Sequence, residues 1–204
     1  MDWHERTVDT YDRSAQQLAE YFKGIGSRTD DIERGLELAS VDPITARVIE
    51  IGCGDGRDAQ EIAQRVAWYE GFDPSEKLLD LAREKVHEGN FVKADALSYA
   101  YPENVDVAFA FASLLHVNEH DLSVVFQRLG QSLRLGGIVY LSLKEREAYE
   151  EEVQHDQYGE RKFYYYNVPL VQDIAGTAFE SVFEDHQQRG ATGWLTLALK
   201  KINS

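Results

Sequence analysis

Two hydrophobic periods alternate along the chain. Short β-branched and aromatic runs at 48–51 (VIEI), 68–72 (WYEGF), 90–92 (NFV), 105–111 (VDVAFAF) and 138–143 (IVYLSL) read as strands. The first is apolar on both faces, as a central parallel strand is. Between the runs, apolar residues recur every three or four positions, which is helical spacing. They do so at Ala59, Ile62, Ala63 and Val66, at Leu78, Leu81, Ala82 and Val86, and at Leu122, Val125, Phe126, Leu129 and Leu133. This alternation predicts an α/β domain with a mostly parallel sheet. Ahead of the first strand, Tyr11, Ala15, Leu18 and Phe22 mark one helix, and Ile32, Leu36 and Ala39 a second after the break at 24–29.

The second half is less regular. Residues 133–144 read as a helix end, a turn at Gly136 and Gly137, and a strand that ends at Lys144. The acidic run EREAYEEE at 145–152 predicts a solvated helix face. In HDQYGERKFYYYN, Tyr158, Phe163, Tyr164, Tyr165 and Tyr166 crowd around Arg161 and Lys162, which suits a substrate wall of rings and cations or the plain packing of a strand. Asn167 and Pro169 open a helix, and FESVFEDH and WLTLALKK close the chain as two antiparallel strands around 190–193.

The chemistry concentrates in VIEIGCGDG at 48–56. Gly52, Gly54 and Gly56 follow the first strand and free the backbone to approach a ligand. A dinucleotide fingerprint needs glycine at 57, where Arg57 stands, and a phosphate loop needs Lys and Ser/Thr after Gly56. Glu50, just before the first glycine, can receive an ammonium group. The loop therefore suits a nucleoside with a zwitterionic tail. Asp73 lies 21 positions beyond Gly52, close to the spacing at which such folds set a carboxylate on a ribose. Asp95 ends the third strand in the same way, so acids close three successive strands at the end where ligands bind.

Composition narrows the classes. The 204 residues hold no low-complexity linker, which predicts a single domain over 1–204, with the helices of residues 1–40 covering a face, 41–204 as the core and 145–166 as the candidate substrate-facing segment. A net charge of −15 argues against a grip on nucleic acid. The single cysteine, Cys53, sits in the glycine turn as a small filler and fits a reducing, cytoplasmic setting. The first residues have no apolar core of a signal peptide, and the longest apolar stretch, 105–117, is too short and interrupted to span a bilayer. His116, Glu119 and His120 do not match the H-E-x-x-H order, so no metal is expected.

The stretch from Glu50 through Gly52, Gly54 and Gly56 resembles the first motif, E/D-x-G-x-G-x-G, of the class I S-adenosylmethionine-dependent methyltransferases. The resemblance runs from about residue 8 to the end. It implies a Rossmann-like sheet of seven strands, six parallel and the last antiparallel, with helices on both faces. It also implies the cofactor S-adenosyl-L-methionine and the product S-adenosyl-L-homocysteine. Asp73, Pro74 and Leu78 in DPSEKLL then fall at the ribose and adenine, Asp95 and Ala96 at the adenine edge, and Cys53 and Arg57 beside the loop. Ala112, Ser113 and His116 fall near the transferring methyl. His116 is the candidate base or a structural histidine. Tyr11, in a Y-D-x-x-A pattern, falls near the reaction centre or packs plainly. Residues 133–139 are similar to an L-x-P-G-G-x-L pattern with Leu135 in place of proline. Lys144, Gly159, Arg161, Phe163 and Tyr166 fit a pattern found in some bacterial members, which assigns Lys144, Arg161 and Tyr166 to substrate. The expected function is methyl transfer to a small-molecule acceptor. The alternatives are a module that binds the cofactor without catalysis and a nicotinamide oxidoreductase, against which Arg57 counts.

Overall fold

The computed structural model describes residues 2–203. In chain order its elements are α1 (Trp3–Arg13), α2 (Ala15–Ile25), α3 (Thr29–Ala39), β1 (Arg47–Ile51), α4 (Ala59–Ala63), β2 (Trp68–Asp73), α5 (Glu76–Lys85), β3 (Asn90–Lys93) and β4 (Val105–Phe111). They continue with α6 (Glu119–Ser132), β5 (Leu133–Glu145), β6 (Glu150–Asp156), β7 (Gly159–Tyr166), α7 (Val168–Ala175), β8 (Phe179–Arg189) and β9 (Thr192–Lys201).

The sheet is α/β and mostly parallel. Its spine runs β3-β2-β1-β4-β5, all parallel; β9 lies antiparallel on the other edge of β5, and β8 pairs with β9. These seven strands give six of one direction and an antiparallel one between β5 and β8. Alternation decides which residues face which layer. Val48, Val107, Phe109, Ile138 and Tyr140 pack under α3, α4 and α5 with Ile32, Leu36, Ile62 and Leu79. Ile49, Ile51, Ala108, Ala110, Val139 and Leu141 pack on the opposite face with Leu122, Val125 and Phe126 of α6 and Val171 of α7. Helices thus cover both faces, as a parallel sheet requires.

Two further strands stand outside this frame. β4 pairs with β5 only as far as Phe111 and Ser142, and beyond it β7 takes the same edge of β5 through Lys144↔Tyr165 and Glu145↔Tyr166. β6 folds back on β7 as an antiparallel hairpin. The acidic run is therefore partly an edge strand and no helix. Its glutamates are held by ion pairs, Arg146 with Glu150 and Glu152, and Lys162 with Glu151 across the hairpin. The pairing with the aromatic strand β7 overrides the helical reading of its charges.

Three other boundaries differ from the sequence reading. The first N-terminal helix is two, α1 and α2, because the chain bends at Ser14 (φ −107°, ψ 12°), whose Oγ donates to the Tyr158 carbonyl at 2.8 Å. α4 is one short segment of five residues, preceded by a turn that keeps Arg57 and Asp58 at the loop. Leu133 begins β5 and does not end α6, since it pairs with Val105 ahead of the bulge at Gly136 and Gly137.

The N-terminal helices are fastened across the carboxyl ends of the strands. Asp2 and Glu5 form a reciprocal cap on α1. Thr10 Oγ1 donates to the Glu160 carbonyl at 2.8 Å, and Thr7 Oγ1 accepts from the Lys162 N–H at 3.2 Å, tying α1 to β7. On its other side Asp12 accepts from Ser75 Oγ at 2.6 Å and from the Lys77 N–H at 3.1 Å, at the start of α5. Among the described residues, no helix is long and apolar enough to cross a membrane.

Candidate active site

One cavity of about 470 Å³ opens at the carboxyl ends of β1, β2, β4 and β5, beneath α1 and α2. Its size is that of a small-molecule site. Its wall has an acidic side on the glycine loop and a second side, where β4 turns, that holds Lys144 and Arg161.

The acidic side is built on the glycine loop. Gly52 (φ 69°) and Gly54 (φ 55°) hold left-handed backbone that a side chain disfavours. The Gly52 and Cys53 N–H groups both donate to the Phe72 carbonyl, at 2.8 and 3.1 Å. A Cβ on Gly52 would stand 2.3 Å from that of Ser113, whose Oγ donates to the Ile51 carbonyl at 2.5 Å. The loop is thus clamped between the ends of β2 and β4, while Gly54 has open space on its Cβ side. Asp73 fastens it further, accepting from the Gly54 N–H at 3.0 Å and the Ser75 N–H at 2.8 Å.

Burial controls protonation here. It pushes Glu50 up to about 8, aided by the Asp58 charge and opposed by the Tyr69 hydroxyl, which donates to Glu50 at 2.6 Å. It also pushes Asp73 up to about 6 against the two backbone N–H groups that favour its charge. The buried Cys53 thiol is driven well above its ordinary value, so it is neutral and a poor nucleophile. Asp95 spends Oδ1 on the Leu97 and Ser98 N–H groups, both at 2.8 Å, while Oδ2 lies 4.0 Å from His4. Pro74, Leu78 and Ala96 line the cavity beside it.

The other side is built where β4 turns. Ala112 has φ 54°, an unusual angle for a residue with a side chain. Its N–H is held by both the Ser142 carbonyl (3.2 Å) and hydroxyl (3.0 Å). Four residues on, His116 Nδ1 lies 2.7 Å from the Lys162 carbonyl. A carbonyl only accepts, so Nδ1 carries the proton and Nε2 accepts from the Tyr11 hydroxyl at 2.9 Å. Burial, with the charges of Arg161 and Lys144, drives His116 down to about 3. It is a neutral ring with both nitrogens engaged. Burial also raises the Tyr11 hydroxyl, partly offset by Arg161, whose Nη1 donates to it at 3.4 Å.

Lys144, only 7% exposed, donates to Gln154 Oε1 at 2.7 Å and sits 3.4 Å from the centre of the Phe163 ring. Burial and the Arg161 charge lower it to about 8. Tyr166 is a correction: it is fully buried, donates to the Val117 carbonyl at 2.6 Å, and is core outside the cavity wall. The structure also brings in Arg28, Asp58 and Gln154, which no sequence spacing marked. Asp58 accepts from the Arg28 N–H at 2.9 Å and pairs with the Arg57 guanidinium.

Known proteins are similar to this chain in sequence over part of its length and in fold over most of it. Residues 48–137 match a family model described as a methyltransferase domain. Trans-aconitate 2-methyltransferase of Rhizobium rhizogenes is 34% identical over 110 residues, covering 52% of this chain and 42% of the relative. That of Delftia acidovorans is 36% identical over 112 residues, covering 52% and 41%. The matched stretch thus spans about two fifths of the length of these relatives. Magnesium protoporphyrin IX methyltransferase from Synechocystis, solved with bound S-adenosylhomocysteine, superposes with TM-score 0.74 at 14% identity over 98% of this chain and 100% of that one. Residues 48–137 are thus similar to a methyltransferase domain, they carry the three acids that close successive strands together with the whole glycine loop, and the chain shares the fold of solved S-adenosylmethionine-dependent methyltransferases.

Proposed function

We propose that the chain binds S-adenosylmethionine on the glycine loop and transfers its methyl group to a small molecule in the half of the cavity bordered by Tyr11, His116, Lys144 and Arg161. The observation that carries this is the convergence of Glu50, Asp73 and Asp95, from three strand ends, on one cavity with the open face of Gly54. The residues present fit the cofactor. Glu50 suits its ammonium, Asp73 the ribose hydroxyls and the free Oδ2 of Asp95 the adenine amino group, with Leu78 and Pro74 against the ring. Arg28, whose buried Nε has no partner, suits the carboxylate, beside Arg57 and Cys53. Held there, the cofactor would supply an electrophilic methyl to the acceptor's lone pair, the C–S electron pair staying on sulfur as a neutral thioether. The protein aligns the acceptor and excludes water. Among the described residues of this half, His116 has both ring nitrogens engaged and Lys144, lowered to about 8, is mostly protonated at neutral pH, which suits an acceptor whose lone pair needs no base. The net charge of −15 goes against a grip on nucleic acid, and the lone Cys53 goes with a reducing, cytoplasmic setting.

Calorimetry with S-adenosylhomocysteine tests the cofactor assignment. Asp73→Ala is expected to weaken binding by about 1–3 kcal/mol through lost charge-assisted hydrogen bonds to the sugar and a loosened Gly54. Equal affinity for variant and parent would remove Asp73 from the ribose.

Protonation gives a second measurement. The folded-state value of Glu50, about 8, lies above its ordinary 4.5. The ligand-free fold therefore loses stability as pH rises from about 4.5 to 8, where the unfolded chain has already released this proton. An ammonium docking on Glu50 favours the carboxylate. At pH 7, binding of S-adenosylhomocysteine is expected to expel close to one proton, seen as binding enthalpies that change with the buffer's ionisation heat. Glu50→Gln should abolish that dependence; identical enthalpies in all buffers for the parent would show that Glu50 does not meet the ammonium.

A further inference from the structure

Among the described residues, two buried side-chain polar atoms lack any hydrogen-bond partner, Arg28 Nε and Arg161 Nε, and both belong to residues that line the same cavity. An unsatisfied buried N–H is costly, so such groups in a native cavity mark places where a ligand supplies the acceptor. Arg28 fits the carboxylate of the cofactor proposed above. Arg161 has no such explanation, and its guanidinium lies over the rings of Tyr11, Tyr158 and Phe163.

Its neighbour strengthens the point. Lys144 and Arg161 lie over the same Phe163 ring, at 3.4 and 5.4 Å from its centre. Arg161 is paired with Asp156 through Nη2, and its side chain is 11% exposed. Lys144 has no carboxylate within ion-pair distance among the described residues, only the neutral amide of Gln154. Lys144 thus spends one ammonium hydrogen on Gln154, and the Arg161 Nε–H has no acceptor, on one side of a low-dielectric pocket where two cations face the two carboxylates Asp156 and Glu152, of which only Asp156 is in direct contact with either cation. Acids outnumber bases 36 to 21 in the chain, yet the carboxylates that line the cavity are Glu50, Asp55, Asp58, Asp73 and Asp95, from β1, the glycine loop and the ends of β2 and β3. None of Lys144, Gln154 and Arg161 belongs to the matched domain at 48–137.

We propose that this half of the cavity is a carboxylate-binding subsite, and that the methyl acceptor is a small organic acid anchored by Lys144 and Arg161. One carboxylate oxygen takes the Arg161 Nε–H and the other the Lys144 ammonium. Phe163 supplies the apolar floor that excludes water and strengthens both contacts. Gln154 is part of the design: its amide orients the ammonium without neutralising it, which a glutamate at the same place would do. This inference rests on the methyl-transfer reading for the word acceptor, while the anion subsite itself is tested by binding alone.

The experiment uses the full chain saturated with S-adenosylhomocysteine and follows melting and calorimetry with citrate, succinate and benzoate, the neutral amides of the latter two, and inorganic phosphate. At least one carboxylate is expected to raise the melting temperature while its amide does not. Arg161→Gln and the near-isosteric Gln154→Glu should each weaken that carboxylate at least tenfold with S-adenosylhomocysteine affinity retained. Because Arg161 also touches Tyr11, Gln154→Glu serves as the variant that leaves α1 docked. No response to any carboxylate, equal response to the amides, or undiminished binding by Gln154→Glu would overturn the subsite. Binding of phosphate in preference to every carboxylate would reassign it to phosphorylated ligands. Failure of the parent to bind S-adenosylhomocysteine at all would instead defeat the methyl-transfer reading, and is seen separately.

Discussion

Gly52→Ala is expected to lower the unfolding free energy by about 2–5 kcal/mol and to abolish measurable cofactor binding. The left-handed angle alone costs roughly 1–2 kcal/mol for an alanine. The new Cβ would also meet the Ser113 Cβ at 2.3 Å, and this contact cannot be relieved by a flexible chain end, because Ser113 is tied to the Ile51 carbonyl. Overpacking of that kind adds about 1–3 kcal/mol. Gly54→Ala separates the two effects: its φ is 55°, but nothing stands within 4 Å of the added carbon, so only the conformational cost applies to the fold. Urea unfolding should therefore rank Gly52→Ala well below Gly54→Ala. Ser113→Gly in the Gly52→Ala background should recover the steric part, with a coupling of about 1–3 kcal/mol in the double-mutant cycle. Equal losses for the two glycine variants, and no coupling to Ser113, would mean that the loop does not press against the end of β4.

The second large effect lies at Tyr11 and His116. His116→Ala is expected to reduce turnover about 100-fold or more while S-adenosylhomocysteine affinity stays within about 0.5 kcal/mol. The geometry makes this an effect of position. With Nδ1 on the Lys162 carbonyl and Nε2 taking the Tyr11 hydroxyl, the ring fixes where the oxygen lone pairs of Tyr11 point. Tyr11→Phe should thus cost about as much, and the double variant scarcely more, since the two act as a unit. Held near 3, His116 stays neutral through the working range, so the pH profile of kcat should show no break of its own between about pH 5 and 8. Transfer of label from methyl-tritiated S-adenosylmethionine into a fractionated metabolite extract supplies the rate. A break near 6.5 that vanishes in His116→Ala would make His116 a proton acceptor after all. A variant that melts many degrees lower and loses cofactor in parallel would assign the pair to the scaffold.

What could be read from the sequence follows from how far apart the cooperating residues lie. The glycine loop and the acids at 50, 73 and 95 are local signals, each a run of buried residues stopped by a residue type with one physical use, and the strand order gathers them without further information. The sixth and seventh strands of the main sheet were legible for the same reason, as alternating patterns. The hairpin of β6 and β7 was not, because an edge strand of glutamates has no apolar alternation and is held by pairing to β7 and by Arg146 and Lys162. The bend at Ser14 escaped because its cause is a carbonyl 144 residues away. Arg28 and Gln154 carry no motif; each reaches the cavity through tertiary packing. Tyr166 shows the opposite error, since a dense run of aromatics resembles a binding wall, yet strand alternation and burial send it to the core.

The fastening of α1 has an evolutionary consequence. Thr7, Thr10 and Ser14 grip β7 and the turn before it through the backbone of Lys162, Glu160 and Tyr158, and so take no account of which side chains those positions carry. Gly159 is the exception, with Thr10 Cγ2 3.0 Å from where its Cβ would be. Residues of the hairpin can therefore drift, and with them the wall they give the cavity, while the helix over that cavity keeps its seat. A library that varies 160–163 and spares Gly159 would search new chemistry on an undisturbed chassis.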